Sequence, residues 1–229
     1  MAAIGDRCAR TQVLLTGFGP FPGVPVNATM RLVPAVAQAA ARAFPDVRVA
    51  SEILPTEWAA APRRLVPLLA ELAPDLVLHF GVSSRARGFE IEARARNACT
   101  PMPDAAGALP GAAVHDGGAE QLAVSLPVQH VVARLRGRGM PAFVSRDAGG
   151  YLCNATLYHS LAAARQAPGR RVGFVHVPAA LARPGGPNRG RVGACRLSWE
   201  QAVEGGLEVL AACLGRRLQG SGTAARRAA

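Results

Sequence analysis

Strand-like and helix-like stretches alternate along almost the whole chain, and this rhythm restricts the possible folds more than any other feature. The runs "QVLLTGF", "VRVASEILP", "PDLVLHFGV", "PAFVS" and "RVGFVHVP" are short, apolar and rich in β-branched residues. Between them, "NATMRLVPAVAQAAARAF", "TEWAAAPRRLVPLLAELA", "PVQHVVARLR" and "YLCNATLYHSLAAARQ" carry apolar residues at helical spacing. Asn27 and Thr56 stand where side-chain caps would open the first two helices. Ser198 would open a last one, "SWEQAVEGGLEVLAACLGRRL", weakened midway by Gly205-Gly206. Parallel strands are joined by crossovers, and the crossover helices cover both faces of the sheet. The expected fold is therefore α/β, a single-domain three-layer α/β/α arrangement with a twisted mixed, mostly parallel sheet. With 229 residues, 50% of them hydrophobic and 18% charged, one core is expected over 13–218, between a flexible N-terminus (1–12) and a disordered tail (219–229).

Two stretches break the rhythm. "GFEIEARARN" alternates strictly, with Phe89, Ile91, Ala93 and Ala95 on one face and Glu90, Glu92, Arg94 and Arg96 on the other. The pattern predicts a half-buried antiparallel strand near an edge, whose charged face is either solvated or a source of site carboxylates. Residues 100–120, rich in Pro, Gly and Ala, predict a long loop, a length that compact domains keep mainly for functional segments.

All 26 basic residues are arginine, against 15 acidic ones, a formal charge of +11. Clustered arginine would suggest phosphate neutralisation. Here the arginines are spread along the chain and aromatics make up only 5%, so no nucleic-acid partner is expected. No apolar run approaches the ~20 residues of a membrane span, and the first twenty residues lack a signal-like core, so the expectation is a cytoplasmic protein without a membrane partner. Cys8, Cys99, Cys153, Cys195 and Cys213 form no CxxC pair and are odd in number, which argues against a zinc site or a disulfide framework.

In open α/β sheets the ligand crevice lies beyond the carboxyl ends of the strands. After the first strand, "TGFGPFPG" offers Gly17, Gly19 and Gly23. The third glycine is one residue late for a dinucleotide fingerprint, and Pro20 and Pro22 remove two donors. Phe18 and Phe21 fit an apolar pocket wall there, or simple closure of the core. Cys153 follows two glycines at a helix start, where unpaired N–H groups and the helix dipole favour a thiolate, although a lone cysteine is more often a packed core residue. A nucleophilic thiol also needs a base. His159 lies about 240° further round the same helix. His176, near the end of a strand, is better placed. Glu90 and Glu92 both qualify as the carboxylate that would orient it, and the pattern does not choose between them.

The blocks "VLLTGFGPFPGVPVNAT", "APDLVLHFGV…FEIEARARN", "PAFVSRDAGGYLCNATLYHSL" and "GFVHVP" resemble, in order and spacing, pyroglutamyl-peptidase I, the pyrrolidone-carboxylate peptidases. The likeness runs from about Val13 to the final helix. It implies a cytosolic cysteine exopeptidase that removes N-terminal pyroglutamate from peptides without metal or organic cofactor, in a family whose members are often tetramers. Residue by residue it implies Cys153 as nucleophile, His176 as acid/base and Glu92, five residues before Asn97, as the orienting carboxylate. By the same likeness Phe18 and Phe21 flank the lactam ring, Asn27 offers it a main-chain oxygen, and Tyr151 and Leu152 complete the pocket wall. Two positions depart from the family pattern. Met102 replaces an arginine, which implies a weaker reaction or an altered preference unless Arg94 compensates, and Gly19 replaces an acidic residue.

Overall fold

The structure is a computed structural model that describes residues 10–181 and 197–218. Cys8, Cys195 and the tail 219–229 lie outside the described residues. The strands are β1 (Gln12–Phe18), β2 (Arg48–Leu54), β3 (Leu76–Ser83), β4 (Phe89–Glu92), β5 (Arg94–Arg96), β6 (Gln121–Ala123), β7 (Ala142–Ser145) and β8 (Arg171–Pro178). The helices are α1 (Thr29–Ala43), α2 (Ala60–Leu72), α3 (Val128–Gly137), α4 (Leu152–Ala164) and α5 (Trp199–Cys213). Six strands form one sheet in the order β2-β1-β3-β8-β4-β7, parallel throughout except where β4 meets β8. β1 starts at Gln12, inside the stretch read as a flexible lead.

Strand parity divides the core. Val13 and Leu15 of β1, Leu76, Leu78 and Phe80 of β3, and Val175 and Val177 of β8 face α1, α3 and α5. Leu14, Val77, Val172 and Phe174 point the other way, toward α2 and α4. On that second face the same parity puts His79, His176, Glu90 and Glu92, so polar groups share a layer with an apolar cluster. α5 opens as its sequence predicts, with a Ser198–Gln201 capping box. It also runs unbroken through Gly205-Gly206. A β-carbon at Gly205 would collide with the Phe89 ring, and one at Gly206 would come within 2.6 Å of Val36, so both glycines serve close packing.

Two local expectations are corrected and one is extended. α1 starts at Thr29, and the Asn27 side chain does accept an opening N–H, that of Thr29 (3.1 Å), together with its hydroxyl (2.8 Å), while its amide donates to Gly19 O (3.1 Å), so it also ties the first turn to the helix. Thr56 caps nothing, since α2 starts at Ala60. Its hydroxyl donates to the same Gly19 carbonyl at 3.0 Å. "GFEIEARARN" is two strands, not one. The chain leaves the main sheet at Ala93, and β5 pairs with β6 in a separate ribbon. Its charged face is divided: Glu92 is fully buried, Glu90 and Arg94 are half-buried, and Arg96 is exposed.

Candidate active site

The carboxyl ends of β1, β3 and β8 open onto a cavity of about 460 Å³. Its wall includes Phe18, Phe21, Asn27, Tyr151, Leu152, Cys153 and His176, which are seven of the eight residues singled out from the sequence. The eighth, Glu92, lies behind His176, and its Oε1 is 2.8 Å from His176 Nδ1. This contact is a diagonal pair across the antiparallel β4–β8 ladder, where side chains two residues out of register still reach one another.

Cys153 is the second residue of α4, and the cap residue Tyr151 gives the first turn no side-chain hydrogen bond. The opening N–H groups of a helix have no intrahelical partner, so they remain available to a ligand oxygen. The sulfur occupies a slot made by a missing side chain. A β-carbon at Gly81 would lie 2.9 Å from Cys153 Sγ and 2.7 Å from the Phe174 ring. A glycine inside a buried strand signals such an approach, and that was the legible clue to Gly81.

Burial works to push His176 down, but the Cys153 sulfur and the Glu92 carboxylate outweigh it and hold the imidazole up, at about 10. His79 is the opposite case. Burial pushes it down to about 3, and its two nitrogens meet Thr16 Oγ1 (2.7 Å) and Ser160 Oγ (2.9 Å). It stays neutral beneath Phe174, whose ring lies 6.0 Å from His79 and 4.7 Å from His176. Of the two strand histidines, His79 is the satisfied core residue.

His79 should make the fold acid-sensitive. Its folded value lies below the ordinary 6.5, so the unfolded chain binds its proton more readily. Stability is then complete above pH 6.5 and falls as pH drops toward 3, by about 1.4 kcal/mol per unit at most. Urea midpoints at pH 7 and 5 measure the slope, and His79→Asn should flatten it. His176 has the opposite sign, its contribution being complete below 6.5 and lost as pH rises toward 10.

Around the cavity mouth, Phe21, Tyr151 and Trp58 form a ladder with ring centroids 5.9 and 5.1 Å apart. Trp58 Nε1 donates to Met102 O at 3.0 Å, which fixes Met102 in the wall. Asn154, next to Cys153, accepts from the Arg96 N–H and donates to the Arg96 and Ala98 carbonyls, pinning the start of the long loop against α4. These anchors escaped the sequence reading because each joins residues far apart in the chain. Arg94 does not reach the site. The break at Ala93 carries it onto the ribbon, where its guanidinium donates to Arg146 O (2.9 Å) and Gln121 Oε1 (3.0 Å).

Of the other cysteines, Cys213 is buried and its thiol is pushed up to about 12, and burial also raises half-buried Cys99, as expected of packing residues. Glu90, Glu92 and His176 each bring one donor atom within 4.8 Å of the others, the one grouping among the described residues compact enough for a cation. No helix among the described residues is long and apolar enough to cross a membrane.

Comparison with known proteins gives the same picture from outside the site. A family model described as pyroglutamyl peptidase matches residues 11–211. The pyrrolidone-carboxylate peptidase of Clavibacter michiganensis subsp. michiganensis is 37% identical over 168 residues, 72% of this chain and 78% of that protein. A mutant pyrrolidone carboxyl peptidase from the hyperthermophile Pyrococcus furiosus has a TM-score of 0.77 at 29% identity, covering 90% of this chain and 99% of that one. Bacillus amyloliquefaciens pyroglutamyl peptidase I gives 0.77 at 26% identity, covering 90% and 98%. The chain belongs to the pyroglutamyl peptidase family.

Proposed function

We propose that the protein is a cysteine exopeptidase that hydrolyses the amide bond after an N-terminal pyroglutamate, with Cys153 as nucleophile, His176 as acid and base, and Glu92 as the carboxylate that orients His176. The observation that carries this reading is the buried His176–Glu92 pair beside Cys153 at the start of α4, facing a cavity whose far wall is Phe18 and Phe21. Pyroglutamate has a small uncharged ring and no α-ammonium, so an apolar slot with a few backbone hydrogen bonds suits it better than a counter-charge.

The Cys153 sulfur attacks the pyroglutamyl carbonyl carbon. The resulting oxyanion is held by N–H groups of the α4 first turn, and His176 passes its proton to the departing amine as the C–N bond breaks. Neutral His176 then takes a proton from water, which attacks the thioester, and pyroglutamate leaves as the sulfur regains its original state. Asn27 lies buried at the cavity wall; its main-chain oxygen already accepts from the Met30 N–H at 3.1 Å, so it would take the lactam N–H as a second, shared donor.

The test is release of the coumarin from pyroglutamyl-coumarin, with prolyl- and glutamyl-coumarin as the substrates lacking the lactam. Turnover confined to the pyroglutamyl compound is the expected result, and its absence from wild-type protein would overturn the reading. Met102 is 42% exposed, so an arginine side chain there has room at the cavity mouth. Met102→Arg is expected to raise kcat/KM on the same substrate by roughly tenfold to a hundredfold, the scale of one well-placed donor to developing negative charge.

A further inference from the structure

Two carboxylates, not one, face His176. β4 and β8 pair antiparallel with Glu90 directly opposite His176 and Ile91 opposite Val175, so Glu90 and Glu92 project from the sheet face that carries the imidazole. One oxygen of each carboxylate and one His176 ring nitrogen lie within 4.8 Å of one another. Glu92 is fully buried and bonded to Nδ1, whereas Glu90 is half-buried in the cavity wall. The other charged or titratable groups near the pair are Cys153 of α4, facing His176, Arg85 of the β3–β4 turn, facing Glu90, and Asp147 after β7, in the same cavity wall. The register neighbours Gly81 on β3 and Phe143 on β7 bring no charge.

We propose that Glu90 is a positioning residue of this site, a second carboxylate that holds His176 as imidazolium from across the β4–β8 pair and so extends the active range to higher pH. The functional consequence rests on His176 being the acid of the proposed reaction. An opposite charge at this separation favours the charged form of an imidazole by roughly one to three pH units. Solvent on one side of Glu90 and the nearby Arg85 place the effect at the low end of that range. Glu90's own proton affinity is raised by burial, lowered by His176 and raised again by Glu92, with a net upward shift. Protonation of Glu90 withdraws that support, and the upward shift brings the loss on at higher pH than an ordinary carboxylate would.

The sign is fixed by the charge. Without the Glu90 anion, imidazolium loses its proton at lower pH. The experiment follows the His176 imidazole by NMR, assigned by its absence in His176→Asn, in wild type, Glu90→Gln and Glu90→Asp, together with the alkaline limb of kcat/KM on pyroglutamyl-coumarin. In Glu90→Gln the midpoint and the limb should both move down by about one pH unit, and Glu90→Asp should recover part of the shift. Glu52→Gln removes the same charge from β2, the strand at the far edge of the sheet, and should leave both in place. Coincident His176 midpoints in wild type and Glu90→Gln would overturn the proposal. The NMR titration needs no turnover, so an inactive wild type sinks the peptidase reading without touching this result.

Discussion

Cys153→Ser is expected to take pyroglutamyl-coumarin turnover to background, a loss of roughly 10⁴-fold or more. Among the described residues no other cysteine can substitute for the sulfur. Cys99 and Cys213 sit elsewhere and burial disfavours their thiolates, while Cys153 Sγ alone among them fills the space left by the missing side chain of Gly81. A serine oxygen would stand there as a neutral hydroxyl and could not replace the interaction of the sulfur with the imidazole. After burial, which opposes it, the Cys153 sulfur is the strongest influence on His176, and it holds the imidazolium. The variant should therefore lose the nucleophile and also show a lowered His176 midpoint by NMR. Packing should be little changed, since oxygen for sulfur fills nearly the same space, so an unaltered urea midpoint would separate chemistry from folding. Undiminished turnover in Cys153→Ser would rule out the mechanism.

The fold was legible because its signals are local. Apolar runs and helical periods need no knowledge of distant partners, and alternation at that spacing leaves few topologies. Cys153 and His176 were legible as candidates for a related reason: a helix start and a strand end are positions that a sequence displays. What the pattern could not display was anything decided across the sheet. Glu90 and Glu92 look alike in "FEIEARAR", and only the register of β4 against β8 makes one a buried partner of Nδ1 and the other a half-buried neighbour. The same ignorance of register turned Arg94 into a candidate, because strict alternation continues through Ala93 although the strand does not. Asn27 and Thr56 were read as helix caps since those residue types favour caps; Asn27 does accept the first N–H of α1, but Thr56 caps nothing, and both converge on the Gly19 carbonyl, a contact joining three separate segments. His79 offered no local signal of its neutral state, which burial and two hydroxyls from other strands and helices create together.

Glu92→Gln tests whether that register-dependent contact is the working one. The substitution keeps the shape of the side chain and removes its charge. In one orientation the amide carbonyl still accepts from Nδ1–H, but no anion remains to stabilise the imidazolium. In the other the amide donates to Nδ1 and leaves the proton on the nitrogen that should receive it from the sulfur. Loss of the charged acceptor in such a triad costs on the order of 10⁴-fold in kcat. KM should hardly move, because Glu92 lies behind His176 and takes no part in the cavity wall. Stability should fall, since the buried imidazole loses its charged partner, and the loss should be softened because Glu92 Oε2 is itself buried with no hydrogen-bond partner among the described residues. The comparison with Glu90→Gln then separates the two carboxylates by kind of effect. Glu92→Gln should depress kcat across the whole pH range, whereas Glu90→Gln should displace only the alkaline limb. If Glu92→Gln merely displaced the limb while Glu90→Gln abolished turnover, the orienting role would belong to Glu90, and the diagonal contact across β4 and β8 would be structural.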